Sequence, residues 1–233
     1  MTASLVLQGT AQNTGGAGTD TFVNFENLTG SAFNDTLTGD DGANILTGGN
    51  GNDLLDLTEG VGAADQIRYS QTGLTNVDSV IAFDVAGSDA VGYTIGTIAE
   101  GATNVTLSTG NGTDIAAAVA AGAVNVVDIA QNADVANNAA AHAVKFTTGA
   151  STFQLAIGTG SFAIAYASFA ATEAMIGVWF DTDTNEAVFG TLLDTAGGVG
   201  ELNTLDTFAE ATRVAMSAAD FANVNANDIF LFA

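Results

Sequence analysis

The chain of 233 residues has no cysteine and no proline, one histidine (His142) and only three Lys and Arg residues. The lack of cysteine excludes disulfides, zinc fingers, iron–sulfur clusters and thiol catalysis, and a lone histidine excludes a multi-histidine metal site within one chain. His142 stands near Lys145 in an Ala-rich stretch without a Ser or an acid at triad-like spacing, so we do not expect it to be catalytic. The motifs HExxH and GxSxG are also absent, and we therefore predict that these residues do not form an enzyme.

Positive charge is scarce, because 26 Asp and Glu face 3 Lys and Arg and leave a net charge of −23 at pH 7. Such a charge repels phosphate groups, which excludes nucleic acid and anionic lipid as partners. The sequence has neither a long apolar run nor a Sec-type leader, so we predict no membrane insertion. The first residues enter a strand-like pattern at once, and we expect the chain to be a fragment of a longer protein.

Nine-residue repeats occupy the first third of the chain. Residues 30–56 divide into the blocks GSAFNDTLT, GDDGANILT and GGNGNDLLD, each with Gly first, Asp or Asn sixth and Leu eighth. The eighth positions are Leu37, Leu46 and Leu55, and Leu28 continues this series upstream. A further block, GGAGTDTFV, covers residues 15–23, and a degenerate one, GVGAADQIR, covers residues 60–68.

The period of nine distinguishes a strand from a helix. At about 100° per residue, successive leucines would lie on opposite faces of a helix, whereas a short strand and a turn in each block repeat the same environment. The pattern therefore predicts a solenoid with a thin leucine core. Glycine in the turns lets backbone carbonyls converge, and converging carbonyl and carboxylate oxygens favour Ca²⁺, which takes about six to eight such ligands. The alternative is that Gly, Asn and Asp form ordinary turns without a metal.

The blocks GGAGTDTFV and GGNGNDLLD match the pattern GGxGxDxUx, in which U is apolar, and here the sequence resembles the RTX (hemolysin-type calcium-binding) repeats. This resemblance implies a parallel β-roll in which each block forms a half-turn and Ca²⁺ lies between turns from alternate blocks. Asp35 would then share an ion with Asp53, and Asn44 would pair with Asp65. The resemblance also implies carbonyl ligands near Gly30, Ala32, Gly48 and Asn50 on one side, and near Gly39 and Asp41 on the other.

Three further features qualify this ligand set. Asn44 replaces the family's Asp and an insertion at 57–59 precedes Asp65, so we expect weaker binding on that side. Asp20 lies in a full motif, but the irregular block 21–29 follows it, and its partner stays open. Residues 78–93 resemble the segment that commonly closes RTX rolls, which implies Asp89 as an additional ligand; a turn aspartate is the alternative.

From residue 94 the repeats stop and the composition shifts to Ala, Val, Thr and Phe. We therefore divide the chain into an RTX β-roll with closing strands (1–93) and a β-rich C-terminal domain (94–233). Within the second part the patterns predict strands at 104–109, 124–129 and 143–148, helices at 114–121 and 160–174, and a hairpin at 175–193 with its turn at 181–186. The expected fold class is mainly β: a parallel β-roll followed by a β-rich region with one to three short helices.

The tail, residues 216–233, ends in a small polar turn, Asp228 and the apolar run IFLFA. It resembles the uncleaved C-terminal signals of type I secretion substrates, which implies the type I secretion machinery as a partner and an extracellular location. A short buried strand at the end of the chain is the plainer interpretation, and the two are compatible.

Two functional hypotheses follow. The first is a calcium-binding C-terminal module of a larger secreted or cell-surface bacterial protein that folds on Ca²⁺ binding after type I secretion. Without Ca²⁺ the carboxylates would repel one another, and the thin core would not offset the backbone entropy lost on folding. The second is an S-layer or adhesin assembly domain, because the Gly-, Ala- and Thr-rich, Lys-poor composition resembles S-layer proteins with RTX blocks. Calcium would then drive self-association.

Overall fold

The structure, a computed structural model, describes residues 1–16, 18–58, 62–69, 76–87, 89–94, 97–100, 103–107, 126–129, 143–151, 173–193 and 207–232. Eighteen strands and one helix lie in these ranges. The first ten strands are β1 (Thr2–Ser4), β2 (Ala11–Gly15), β3 (Gly18–Thr21), β4 (Asn27–Thr29), β5 (Thr36–Thr38), β6 (Ile45–Thr47), β7 (Leu54–Asp56), β8 (Gln66–Tyr69), β9 (Asp78–Ile81) and β10 (Ala90–Thr94). The others are β11 (Thr97–Glu100), β12 (Thr103–Leu107), β13 (Val126–Ile129), β14 (Ala143–Phe146), β15 (Glu173–Asp181), β16 (Glu186–Leu193), β17 (Thr207–Ala215) and β18 (Ile229–Phe232), and the helix is α1 (Ala218–Asn223).

Consecutive repeat blocks contribute their strands to two different sheets. In the first sheet β1, β5, β7 and β9 are neighbours, and in the second β4, β6, β8 and β10 are neighbours. Every one of these pairs is parallel. This alternation confirms the expected mainly β fold with parallel sheets across the repeats, in which each block is a half-turn.

A thin apolar core separates the two sheets. In the first sheet Leu37, Leu55 and Val80 are register partners, and in the second Leu46 and Ile67 are. All five side chains are fully or almost fully buried and belong to one core cluster. The predicted leucine series therefore forms two ladders that face each other, and each three-residue strand buries one large side chain from this series.

Block 15–23 departs from the expected half-turn. Its residues form the end of β2 and all of β3, which pair with each other as an antiparallel hairpin apart from both parallel sheets. Block 21–29, without the opening glycine, instead supplies β4 at the edge of the second sheet. The difference arises because β3 finds its partner only a few residues away, across a turn with glycine at positive φ (Gly15 and Gly18).

Strands from the C-terminal part complete both sheets of the repeat region. β17 pairs with β9 in parallel and is followed in the first sheet by β16, β15, β12 and β11, while β14 also pairs with β15 and β13 with β14. β18 pairs with β10 in the second sheet. The division at residue 93 stays a prediction, but both sheets continue beyond it.

Several expectations for the C-terminal half can be compared with these elements. The hairpin is confirmed, since β15 and β16 are antiparallel and joined by a turn at 182–185. The predicted strands are confirmed at 104–107 in β12, at 126–129 in β13 and at 143–146 in β14, while residues 147 and 148 lie beyond the end of β14. The helix at 114–121 and His142 lie outside the described residues. Most of the helix at 160–174 does too, but its last two residues belong to β15, so that end of the prediction was wrong.

Two of the few basic residues, Arg213 and Lys145, connect different elements of the C-terminal part. Arg213 on β17 forms ion pairs with Asp181 (2.9 Å), Glu186 (3.1 Å) and Glu210 (2.9 Å). The buried Nζ of Lys145 donates to the carbonyls of Ala222 and Val224 at the end of α1. Within the described ranges no helix is long and apolar enough to cross a membrane.

The leucine core allows a stability test with a matched control. Leu55 is fully buried, whereas the adjacent Leu54 is 36% exposed. We expect Leu55→Ala to lower the free energy of unfolding by about 2–5 kcal/mol, because it leaves a cavity in a core only one side chain wide. Leu54→Ala should stay within about 0.5 kcal/mol of the parent. Urea unfolding in saturating calcium measures both, and equal losses would contradict the two-ladder core.

Candidate metal centre

The acids of the first sheet stand in line at the start of its strands. Asp35 precedes β5, Asp53 precedes β7 and Asp78 opens β9. Because these strands pair in parallel with Leu54 opposite Thr36 and Ser79 opposite Leu54, the three acids occupy the same level of adjacent strands. The expectation that Asp35 and Asp53 come together from alternate blocks is therefore met in position. All three side chains are buried.

Backbone amides link these acids into a carboxylate ladder, the name used below for Asp35, Asp53 and Asp78. Oδ1 of Asp53 accepts a hydrogen bond from the amide of Asp35 at 2.7 Å, and Oδ1 of Asp78 accepts one from the amide of Asp53 at 2.9 Å. Each carboxylate thus fixes the strand before it as well as its own. The amino group of Met1 donates to Oδ1 of Asp35.

The second sheet repeats this arrangement with Asn44, Asp65 and Asp89. The amide of Asn44 donates to Oδ1 of Asp65 at 2.7 Å, and the amide of Asp65 donates to Oδ1 of Asp89 at 3.0 Å. Oδ2 of Asp89 also accepts from the amide of Asp84 at 2.7 Å. Asp89 therefore both closes its own turn and continues the stack, and its role as an additional ligand stays a prediction.

The first side has an oxygen suited to a cation. Oδ2 of Asp53 is buried and has no hydrogen-bond partner, and an unpaired buried charge is costly unless a cation compensates it. A Cβ built on Gly48 would lie 2.2 Å from this oxygen. A Cβ on Gly30 would lie 2.1 Å from the carbonyl oxygen of Gly48 and 2.6 Å from Oδ2 of Asp35. Oxygens from two alternate blocks therefore crowd around space that only glycine leaves open, and this donor set fits Ca²⁺.

Carboxylates alone do not complete a site. Within the part of the chain that the structure describes, no three His, Cys, Asp or Glu side chains converge as a metal-binding group. Ca²⁺ accepts backbone carbonyls as readily as carboxylates, so a site here depends on turn carbonyls such as that of Gly48. Asp53 and Asp35 would hold the ion, and it would supply the positive charge that Oδ2 of Asp53 lacks; Oδ1 of Asp35 is already paired with the Met1 amino group.

The second side is already satisfied in part by its own residues. Oδ1 of Asn44 accepts from the amide of Asp40 at 2.6 Å, and Nδ2 of Asn44 donates to Oδ1 of Asp40 at 3.3 Å. The other Asp40 oxygen accepts from Gln8 at 3.1 Å. Asn44 brings no charge and its oxygen is engaged; weaker calcium binding on this side stays a prediction.

The other predicted ligands are placed as follows. Asp20 lies on β3, where it accepts from the hydroxyl of Thr14, and it is not aligned with either stack. Ala32 and Asn50 lie exposed in the turns before β5 and β7, next to Gly30 and Gly48. Gly39 is buried and Asp41 is exposed in the turn before β6. Their roles as ligands stay predictions.

Asp78 is the member of the carboxylate ladder that the repeat pattern did not assign. It lies outside the nine-residue phase, since residues 57–77 intervene after the last regular block. The local order of residues, however, is that of Asp53–Leu54–Leu55: in Asp78–Ser79–Val80 an acid opens the strand and the third residue enters the core. That three-residue order was the signal that could have identified it.

Burial changes the acidity of the ladder. It raises the pKa of Asp53, an effect that the Met1 amino group opposes. It also raises the pKa of Asp78 to about 7; the amide of Asp53 stabilises the Asp78 carboxylate, whereas the negative charge of Asp53 adds to the increase. Without a cation, Asp78 therefore takes up a proton near neutral pH.

The space at Gly48 leads to a prediction. Gly48→Ala places a methyl group against the Asp53 carboxylate, so we expect it to raise the calcium concentration needed for folding by about tenfold or more, the order of a lost charged contact. Gly16→Ala is the matched control, because nothing lies within 4 Å of a Cβ built there. A calcium titration followed by circular dichroism compares them, and equal midpoints would exclude the assigned space.

The pKa of Asp78 leads to a second prediction. An aspartate with a pKa of about 7 in the folded state, against 3.8 as the ordinary value, binds its proton more tightly when folded. Its contribution to stability is therefore complete below about pH 4 and is lost as the pH rises through about 7. In chelator, we expect the folded fraction to fall between these values. Asp78→Asn, which cannot ionise, should flatten this fall, and an unchanged profile would contradict the assignment.

Comparison with known protein families finds a match to the RTX calcium-binding nonapeptide repeat, in four copies, at residues 25–60. The matched residues carry β4 to β7 and the turns around Asp35, Asn44 and Asp53. No match is found among curated proteins or solved structures. Repeats of this kind bind Ca²⁺ and are typical of extracellular proteins exported by type I secretion. Residues 25–60 are therefore RTX calcium-binding repeats, and the chain contains a calcium-binding module.

Proposed function

We propose that the chain is the calcium-binding C-terminal RTX module of a larger secreted or cell-surface bacterial protein, and that it folds on binding Ca²⁺ after type I secretion. The module is not an enzyme in this proposal. The observation that carries it is the carboxylate ladder, of which Asp35 and Asp53 lie in the matched RTX segment and in which Oδ2 of Asp53 is buried without a hydrogen-bond partner. A cation that occupies such a site adds its binding free energy to folding.

The weakness of the roll without a metal supports a folding switch. The sheet strands β1, β4, β5, β6 and β7 are only three residues long, and the core between the sheets is one side chain deep. Against this modest burial stand the entropy of ordering the chain and the repulsion within a net charge of −23. Extracellular calcium sites with a Kd of about 10⁻⁴–10⁻³ M stay empty at cytosolic calcium levels and fill outside the cell. The chain would therefore leave the cell unfolded.

The sheet order extends this switch to the C-terminal half. β9 pairs with β7 on one side and with β17 on the other, and β10 pairs with β8 and with β18. Strands β17 and β18 thus need the last strands of the roll as partners. Ordering of the roll by calcium would create both edges, and the remaining sheet would then form on them.

The tail fits export before folding. Residues 229–232 form β18, where Ile229 is buried, and Asp228 is buried at its start. A transporter that recognises these residues as a linear signal would meet them only while the chain is unfolded. Calcium-driven pairing of β18 with β10 would then hide the signal outside the cell.

Circular dichroism of chelator-treated protein during a Ca²⁺ titration, with Mg²⁺ as control, tests the proposal. We expect a calcium-specific gain of β signal. Asp53→Lys should raise the calcium midpoint by about tenfold or more, because it removes a ligand and adds a positive charge. Asp183→Lys, an identical charge change in the exposed turn between β15 and β16, should leave the midpoint nearly unaltered.

Two results would contradict the proposal. One is a protein that is fully folded in chelator and indifferent to calcium. The other is the same midpoint shift in Asp53→Lys and Asp183→Lys, which would mean that total charge, rather than the Asp53 site, sets the response.

Self-assembly is a second candidate, favoured by exposed apolar side chains near the start of the roll. Phe33 is 77% exposed, Val6 59%, Val23 58% and Phe25 51%, and β1 and β4 are the edge strands of their sheets. Edge strands beside exposed apolar groups favour contact with a second copy. Light scattering in millimolar calcium distinguishes the candidates, since growth of large particles supports an S-layer or adhesin role and a stable monomer at high concentration opposes it.

A further inference from the structure

The turn before Asp53 contains an Asn–Gly pair, Asn50–Gly51. The sequence has one other such pair, Asn111–Gly112. Glycine has no side chain to shield its backbone nitrogen, so Asn–Gly is the dipeptide at which this nitrogen most easily reaches the preceding Asn side chain. Asn50 is exposed to water. The pair therefore combines the two requirements for spontaneous deamidation, an accessible amide and an unhindered neighbouring nitrogen.

The folded turn leaves this pair little freedom. A Cβ on Gly49 would lie 2.2 Å from the carbonyl oxygen of Ser31, and a Cβ on Gly51 would lie 2.6 Å from the carbonyl carbon of Phe33. Both glycines have positive φ, at 101° and 119°. The amide of Asn52 also donates to Oδ1 of Asn34 at 3.0 Å. The backbone on both sides of Asn50 thus lies directly against the turn 31–34 of the alternate block.

We propose, on the basis of the calcium-dependent folding proposed above, that Asn50–Gly51 is a calcium-protected deamidation site whose product irreversibly removes calcium-dependent folding. The backbone nitrogen of Gly51 attacks Cγ of Asn50, an N–Cγ bond forms, the Cγ–Nδ2 bond breaks, and ammonia leaves with the amide proton. Water then opens the cyclic imide at one of its two carbonyls and gives aspartate or isoaspartate. Only water is consumed, and neither an oxidant nor a reductant is needed.

Calcium controls the first step through the conformation of the turn. Ring closure requires the backbone at Asn50 to rotate until the Gly51 nitrogen meets Cγ. In the stacked turn this rotation would drive the chain into Ser31–Asn34, whereas in the unfolded chain it is unrestricted. The reaction therefore proceeds through the molecules in which the turn is unfolded. Calcium divides this population by a factor of 1 + [Ca²⁺]/Kd, so we expect the reaction to be slower by about tenfold or more at saturating calcium.

The isoaspartate product is the damaging one. It moves one side-chain carbon into the main chain and lengthens the backbone between Gly48 and Asp53. Because even a Cβ on Gly49 or Gly51 would collide with the turn 31–34, we expect the stacked turn not to accommodate an extra backbone atom, and the Gly48 carbonyl and the Asp53 carboxylate would lose their relative position. Plain aspartate at residue 50 keeps the backbone length, so the two products separate the effect of length from the effect of charge.

The test ages the full chain at neutral pH and 37 °C in chelator and, in parallel, in saturating Ca²⁺. Asn111→Gln serves as the parent, so that Asn50–Gly51 is its one Asn–Gly pair. Isoaspartate is mapped by mass spectrometry after enzymatic methylation, and circular dichroism gives the calcium midpoint. The additional variant Asn50→Gln retains an amide but closes the larger ring far more slowly. Each protein is compared with its own unaged sample.

We expect isoaspartate at residue 50 in chelator, about tenfold less in calcium, and a growing fraction of the parent that no longer folds at any calcium concentration. Asn50→Gln should not lose folding with age. Equal isoaspartate formation with and without calcium would overturn the protection, and isoaspartate-containing chains with an unshifted midpoint would overturn the consequence. Fresh protein that ignores calcium would instead refute the proposed folding switch, a failure that the unaged sample reveals separately.

Discussion

The hydrogen bond from one aspartate's backbone amide to the next aspartate's carboxylate is the interaction on which the structure depends. It joins Asp35 to Asp53 and Asp53 to Asp78 on one side, and its counterpart joins Asn44 to Asp65 on the other. Such a bond aligns adjacent strands but places carboxylates one above another in a buried stack. The geometry that orders the roll therefore also creates repulsion, which a cation bound between the turns would relieve.

Glycine at residues 30 and 48 allows the carboxylates and the carbonyl oxygen to approach one another this closely. The carbonyl of Gly48 and the carboxylates of Asp35 and Asp53 occupy the space that side chains at residues 30 and 48 would need. Close backbone approach brings oxygens together for a metal, and the same approach makes the turn intolerant of any added atom. The acids Asp35 and Asp53, the leucine core and the glycine turns are consequently three aspects of one nine-residue unit.

The nine-residue spacing was sufficient to predict the solenoid, because a local unit repeated in phase gives each leucine the same environment. The alternation of blocks between two sheets and the pairing of Asp35 with Asp53 were implied by the resemblance to RTX repeats. Asp78 and the hairpin of block 15–23 were not predicted. Asp78 belongs to the ladder through strand pairing across an irregular stretch, and β3 pairs with its sequence neighbour although its motif matches the repeat. Both outcomes depend on which partner strand is available, and a single motif does not contain that information.

The connection of β17 and β18 to the last strands of the roll also could not be predicted from sequence patterns, since parallel pairing between segments so far apart leaves no local signal.

Hydrogen exchange at the amides of Asp35 and Asp53, measured by NMR with and without Ca²⁺, tests the central claim most directly. Both amides donate to a carboxylate of the ladder. The account predicts that they are protected together in calcium and exchange rapidly in chelator. Protection of equal degree in both conditions would contradict it.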